Sequence, residues 1–186
     1  MVTEANNLEI YTIGHSNVPA SRIIELLAKY QIEVVVDVRS APYSQYTPQF
    51  NRETLIQALA EAGIGYSFAG EYLGGRPKDP TCYKNGELPA GKANYLKLVD
   101  YSVVATRPWY QKGITRLLEI AAERRMVIMC SEEDPQACHR HHLIAQTLLE
   151  MGVTVWHIRG QDVLEAALAQ LDQEQSQQPR QLSLFD

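Results

Sequence analysis

The sequence predicts a single α/β domain: a mostly parallel sheet of roughly five strands with helices on both faces, arranged as a three-layer sandwich. Three observations carry this expectation. Apolar β-branched runs alternate with segments of helical periodicity along the chain. One run, Val34-Val35-Val36-Asp37-Val38, is continuously apolar around a single acid, as in strands covered on both faces. Roughly five strands are too few to close a TIM barrel, which favours an open sheet.

The elements follow in order. Leu8 to Ile13 reads as a first strand stopped by Gly14, and Pro19 to Tyr30 as a helix with Ile23, Ile24, Leu26, Leu27 and Tyr30 on one face. The valine run is the second strand. Asn51 is placed to cap a helix carrying Leu55, Ile56, Leu59 and Ala62 and ending at Gly63. Gly65 to Ala69 reads as a short third strand. Helix is expected from about Ala93 to Arg125, broken near Arg107-Pro108 because proline disfavours helix in the residue before it. Met126 to Met129 is the next strand, and Asp134-Pro135 the cap and first turn of a helix through Met151. Val153 to Ile158 closes the sheet, and Asp162 is expected to open a final helix. Two long connections, Ser40 to Phe50 and Gly74 to Gly91, are rich in proline and aromatic residues and read as ordered lids. The domain is taken to run over residues 1–171, with 172–186 as a polar linker and tail.

Composition narrows the function classes. Hydrophobic residues make up 45% and charged residues 21% of the 186 positions, a globular profile. No apolar run approaches the ~20 residues of a membrane helix, and the N-terminus lacks a signal-peptide pattern, so the expected location is the cytoplasm. The cysteines, Cys82, Cys130 and Cys138, are three, too few and too odd a number for a disulfide framework. A net charge of -5 argues against a surface that holds DNA through a basic stripe.

In open α/β sheets, ligands bind beyond the carboxyl ends of the strands. Those ends carry Gly14-His15-Ser16-Asn17, then Asp37 with Arg39-Ser40, then Glu71 and Gly74-Gly75, then Cys130-Ser131-Glu132-Glu133, and lastly Arg159-Gly160. The opposite ends are Glu9, Glu33, Arg125 and Thr154, an ordinary solvent-facing set. Asp37 and Glu132 are therefore candidate acid/base groups, His15 a positioning or proton-transfer group, and Cys130 a candidate nucleophile at a strand end before a helix. Arg39, His139 and Arg140 are candidates for gripping an anion, with Ser16, Ser40, Tyr43 and Glu71 beside them as binding residues. Each has a plainer role available: Asp37 pairing with Arg39, His15 as a hydrogen-bonded strut, and Cys138 as a core thiol on one helical face with His141, Ala145 and Leu148. The Cys-x5-Arg loop of tyrosine phosphatases does not fit, because Gln136 stands where its arginine should be. Cys130, Cys138 and His139 also raise the alternative of a thiol or metal protein, although the spacing is wider than in structural zinc sites. No metal ligand set is assigned, and no cofactor can be read.

Gly14-His15-Ser16, Asp37-Val38-Arg39-Ser40 with Pro42, Ser44 and Phe50, Tyr72-Leu73-Gly74-Gly75, Cys130 to Pro135 and Cys138-His139-Arg140 together resemble the family known as domain of unknown function 488. The resemblance spans roughly Ile10 to Arg159. It implies a shared site at the strand ends and brings no assigned reaction with it.

After Leu171 the composition turns to Gln, Glu and Ser, and the chain closes Gln181-Leu182-Ser183-Leu184-Phe185-Asp186. That ending is similar to the peptide by which bacterial polymerases and repair proteins bind the DNA sliding clamp. By this resemblance Gln181, Leu182, Leu184 and Phe185 are the partner-binding residues, a short apolar anchor on a polar tether. The alternative is that they fold back on the domain. The leading expectation is an enzyme of nucleic-acid or nucleotide metabolism brought to DNA by its tail. The alternatives are a non-enzymatic clamp-docking adaptor or ligand sensor, and a thiol or metal protein.

Overall fold

The computed structural model describes residues 8–170. Its strands are β1 (Glu9–Gly14), β2 (Val34–Asp37), β3 (Gly65–Phe68), β4 (Met126–Cys130), β5 (Thr154–Ile158) and β6 (Leu164–Ala166). The helices are α1 (Ala20–Lys29), α2 (Arg52–Glu61), α3 (Gly70–Leu73), α4 (Tyr95–Leu98), α5 (Tyr101–Ala105), α6 (Pro108–Glu123) and α7 (Gln146–Glu150), and a π-helical turn over Arg140–Ala145 leads into α7. None of these helices is long and apolar enough to cross a membrane.

The sheet has six strands in the order β3-β2-β4-β1-β5-β6. All pairings are parallel except that of β6, which runs antiparallel to β5. Successive residues of each strand point to opposite sides, and two apolar clusters result. Ile10, Val34, Val36, Met126, Ile128 and Val155 pack with Ile114 and Leu117 of α6 and Leu148 of α7. The alternate residues Tyr11, Ile13, Val35, Val127, Met129 and Ile158 pack with Ile23, Leu26 and Leu27 of α1 and Leu55 and Leu59 of α2.

The strand order creates a crevice at the centre. From β1 the chain crosses β4 to reach β2, whereas from β4 it crosses β1 in the opposite direction to reach β5. Neighbouring strands whose connections diverge in this way leave a gap at their carboxyl ends, the usual ligand position in such sheets. Gly14 and Cys130 are register partners at that point.

The start of α6 follows the sequence expectation: Pro108 occupies its first turn, and Arg107 before it is extended (ψ 134). Some expectations need correction. The sheet has a sixth strand, and Asp162 opens no helix. Asp162 instead adopts a left-handed φ of 67 in a tight turn, where its amide donates to the Arg159 carbonyl at 2.9 Å. That turn folds Leu164–Ala166 back on β5. The expected helix from Asp134 to Met151 is also interrupted. Asp134 does cap a turn, accepting from the Gln136 amide, but Pro135–Ala137 is a 3-10 turn and Cys138 is extended (φ -139, ψ 142). Helical structure resumes at His139, just before the π-helical turn. The expected clamp-binding residues Gln181, Leu182, Leu184 and Phe185 lie outside the described residues.

Candidate functional site

At the crevice the backbone of the segment after β1 continues the ladder to β4. The His15 amide donates to the Cys130 carbonyl at 3.0 Å and the Ser16 amide to the Ser131 carbonyl at 2.7 Å. Ser16 takes a left-handed φ of 47 to leave the strand. Gly14 is required by proximity: a β-carbon there would lie 1.6 Å from the Glu132 carbonyl oxygen. The absence of a side chain at Gly14 therefore lets the segment Cys130-Ser131-Glu132 close over β1.

A buried ion pair forms the floor beside it. Asp37 is fully buried, and its carboxylate accepts from Arg39 Nε at 2.9 Å, Arg39 Nη2 at 2.6 Å and the Arg39 amide at 3.1 Å. The Tyr66 hydroxyl completes its partners at 2.8 Å. Arg39 Nη1 donates to the Phe50 carbonyl at 2.8 Å and to His15 Nε2 at 3.3 Å. A guanidinium has five N–H donors, so these partners leave Arg39 one for a ligand. His15 donates from Nδ1 to the Ser16 carbonyl at 2.7 Å, which leaves Nε2 as the acceptor for Arg39. Its ring stacks on Phe50 with centroids 4.2 Å apart. Burial, aided by the Arg39 charge, lowers the His15 pKa to about 4. His15 is thus a neutral strut near pH 7.

Arg140 is fully buried as well. Its guanidinium donates to the carbonyls of Glu132 and, at 2.6 Å, Glu133, and to Thr12 Oγ1 at 3.3 Å. Its charge fixes the loop after β4 and does not face the crevice. From Thr12 the polar chain passes to His157 Nδ1 at 2.7 Å, and from His157 Nε2 to His141 Nδ1 at 3.1 Å.

A cavity of about 330 Å³ opens on the crevice, lined among others by Arg39, Ser40, Arg76, Tyr101, Glu132 and the group Cys130, Cys138 and His139. A neighbouring lobe of about 390 Å³ shares Arg39, Arg76 and Glu132 with it and adds His15, Ser16 and Tyr43. His139 Nδ1 lies 3.8 Å from the sulfurs of both Cys130 and Cys138. The Arg140 amide donates to Cys138 Sγ at 3.5 Å. Hydrogen bonding from Cys130, together with His139 and the Arg140 charge, holds the Cys138 thiol well below the ordinary cysteine range. Cys130 is pushed the other way, by its bond to Cys138 and by burial. The acidic thiol is therefore Cys138, whereas the sequence pointed to Cys130. The group offers a thiolate nucleophile, a proton-sharing thiol pair or a set of metal donors.

The structure gathers His15, Ser16, Arg39, Ser40, Tyr43, Cys130, Glu132 and His139 around the two lobes. Asp37 and Arg140 stand behind them as supports. Glu71 lies apart, in a third pocket with Trp109 and Lys78. Cys138, expected from helical periodicity as a core thiol, is buried in the core, and its sulfur also lies beside Cys130 and His139. Arg76 and Tyr101 were not singled out by the sequence. Arg76 directly follows Gly74-Gly75, and that loop position was the available signal; Tyr101 carried none.

Fold and site together define an α/β protein with a thiol, imidazole and guanidinium cleft at a strand-order reversal. The family model described as Domain of unknown function DUF488 matches residues 19–147, and the chain belongs to that family. No curated protein and no solved structure matches the chain.

The buried histidines give a pH prediction. Burial first, then Arg140, His141 and Arg159, lower the His157 pKa to about 3, with Cys138 acting in the opposite sense. For His15 the facing charges are Arg39, Asp37 and Arg140. Both folded values lie below the ordinary 6.5. The unfolded chain then binds more protons on acidification, and stability falls as pH drops below about 6.5. Each histidine is expected to cost on the order of 2 kcal/mol between pH 6.5 and pH 5. Urea denaturation at the two pH values measures this. The slope should shrink in His157→Gln, and an unchanged slope there would remove His157 from the account.

Proposed function

We propose that this protein is an enzyme of nucleic-acid or nucleotide metabolism that binds a phosphate-bearing ligand in the two-lobed cleft and is tethered to the DNA sliding clamp by its C-terminal peptide. The observation that carries this reading is that two guanidinium groups, Arg39 and Arg76, line the same cavity as Glu132 and the Cys130–Cys138–His139 group. Arg39 is held in place by Asp37, so its charge is preorganised for an anion. Arg76 is exposed and stacks on Tyr95 at 4.7 Å, a pairing suited to a base and its phosphate. Exposed Tyr43 in the adjoining lobe supplies a second aromatic face. Glu132 serves as the acid/base group, and Asp37, His15 and Arg140 as positioning residues. The two apolar clusters support reading the sheet as the middle layer of a sandwich. Residues 1–171 make the domain and 172–186 its tether.

Calorimetric titration with mononucleotides and short single-stranded DNA tests the cleft. At least one ligand should bind, and Arg76→Gln should weaken it about tenfold, with an unchanged melting temperature. No binding by any of them up to about 1 mM would refute the reading. The tether is tested separately: deleting residues 181–186 should abolish capture by a bacterial clamp without lowering thermal stability. A large stability loss would assign those residues to the fold.

The saturation of Asp37 favours a second reading, a non-enzymatic adaptor or ligand sensor docked on the clamp. A ligand that binds and is recovered chemically unchanged after long incubation decides for it.

A further inference from the structure

We propose that Cys130, Cys138 and His139 bind a divalent cation of the zinc class, with a coordination position left open to the cavity. Their ligand atoms all lie within 4.8 Å of one another, and all three residues are buried. The separations are those of a coordination shell. Tetrahedral zinc with bonds of about 2.3 Å to sulfur and 2.0–2.1 Å to nitrogen places neighbouring S and N ligands about 3.6 Å apart. His139 Nδ1 stands 3.8 Å from each sulfur, so a bound ion needs only a small contraction.

The surroundings fix the donors. A β-carbon at Gly75 would lie 2.6 Å from His139 Cγ, so the backbone there packs directly on the ring and sets its orientation. The Arg140 amide bonded to Cys138 Sγ at 3.5 Å stabilises a thiolate. His139 Nε2 is buried with no hydrogen-bond partner among the described residues, so the polar contacts of this ring are all on the Nδ1 side. Two thiolates would neutralise a divalent ion, which permits its burial.

Donor chemistry selects the class. Two thiolates and an imidazole suit zinc, and disfavour magnesium or calcium, which take oxygen ligands. Three protein ligands are one fewer than a closed structural site provides, and all three line the cavity. An ion so held would present its free position to a ligand beside Glu132 and Arg39. This site stands independently of the nucleotide reading, because metal binding is measured without any substrate.

The test uses the full-length chain, purified without chelator, loaded with zinc and dialysed. Elemental analysis is expected to find about one zinc per chain. Cobalt loading should give the thiolate-to-metal charge-transfer absorption of a thiolate-bound ion. Cys138→Ser and His139→Ala should weaken binding at least a hundredfold, whereas Cys82→Ala should retain it. Gly75→Ala, which removes no donor, should weaken it about tenfold by displacing the ring. Zinc far below stoichiometry after loading, with no charge-transfer band in the unsubstituted protein, overturns the proposal without reliance on any variant's folding. Equal metal content in a folded Cys138→Ser protein overturns it as well. Because these readouts need no nucleotide, a failed metal test leaves the nucleotide titrations standing, and the reverse also holds.

Discussion

Replacing Asp37 by alanine is expected to destabilise the protein by about 3–5 kcal/mol, the cost of leaving one member of a buried ion pair uncompensated. Asp37 is fully buried and Arg39 is only 5% exposed, so water cannot take over the lost partner. The guanidinium would keep only the Phe50 carbonyl and His15, and Tyr66 would lose its acceptor. Against a typical stability of about 5–15 kcal/mol, the loss brings the chain close to unfolding at moderate temperature. Urea denaturation measures it directly. The double variant Asp37→Ala/Arg39→Leu should be less destabilised than Asp37→Ala, because removing both charges abolishes the desolvation penalty. A loss below about 1 kcal/mol in the single variant would mean that the pair is solvated and does not preorganise Arg39.

Gly14→Ala should also be severe. The added carbon meets the Glu132 carbonyl oxygen at 1.6 Å, its carbon at 2.4 Å and Glu133 Cα at 2.8 Å. All three are backbone atoms, and the Arg140 guanidinium holds the Glu132 and Glu133 carbonyls. Relief requires either prying β1 from β4 or breaking the hydrogen bonds of a buried charge. We expect a loss of about 3 kcal/mol or more, a melting-temperature drop of roughly 6–12 °C. Thermal unfolding followed by circular dichroism decides it. A melting temperature within about 2 °C of the parent would show that the loop after β4 yields freely.

Much of the fold was legible because strands and helices with strong periodicity announce themselves locally. The valine run of β2, the Ile23-Leu26-Leu27 face of α1 and the Pro108 start of α6 each needed only their own residues. The errors arose where tertiary pairing or a change of helical period decided the outcome. β6 exists because Leu164 finds Ile158 across a turn held by a left-handed Asp162, and nothing in a short Val-Leu-Glu-Ala-Ala stretch distinguishes that from helix. Cys138 lies in the core as expected, but not on the continuous helical face that its spacing to His141, Ala145 and Leu148 suggests. That face is lost because Cys138 is itself extended and a π-helical turn separates it from Leu148. The candidate site was readable to the extent that it sits at strand ends, which bring His15, Arg39, Cys130 and Glu132 together. Arg76 and Tyr101 come from the long stretch between β3 and α6, and only the folded chain brings them to those ends.

The bond from Arg140 to Thr12 joins residues 128 positions apart in the sequence. At roughly 5–20 residues per second of synthesis, β1 leaves the ribosome some 6–25 s before the arginine that will anchor the segment beside it. For most of that interval β1 has neither β4 nor β5, its two neighbours in the finished sheet. The centre of this sheet is consequently assembled from the earliest and latest parts of the chain, a high-contact-order arrangement that folds slowly. The cleft can close only once nearly the whole domain has been made.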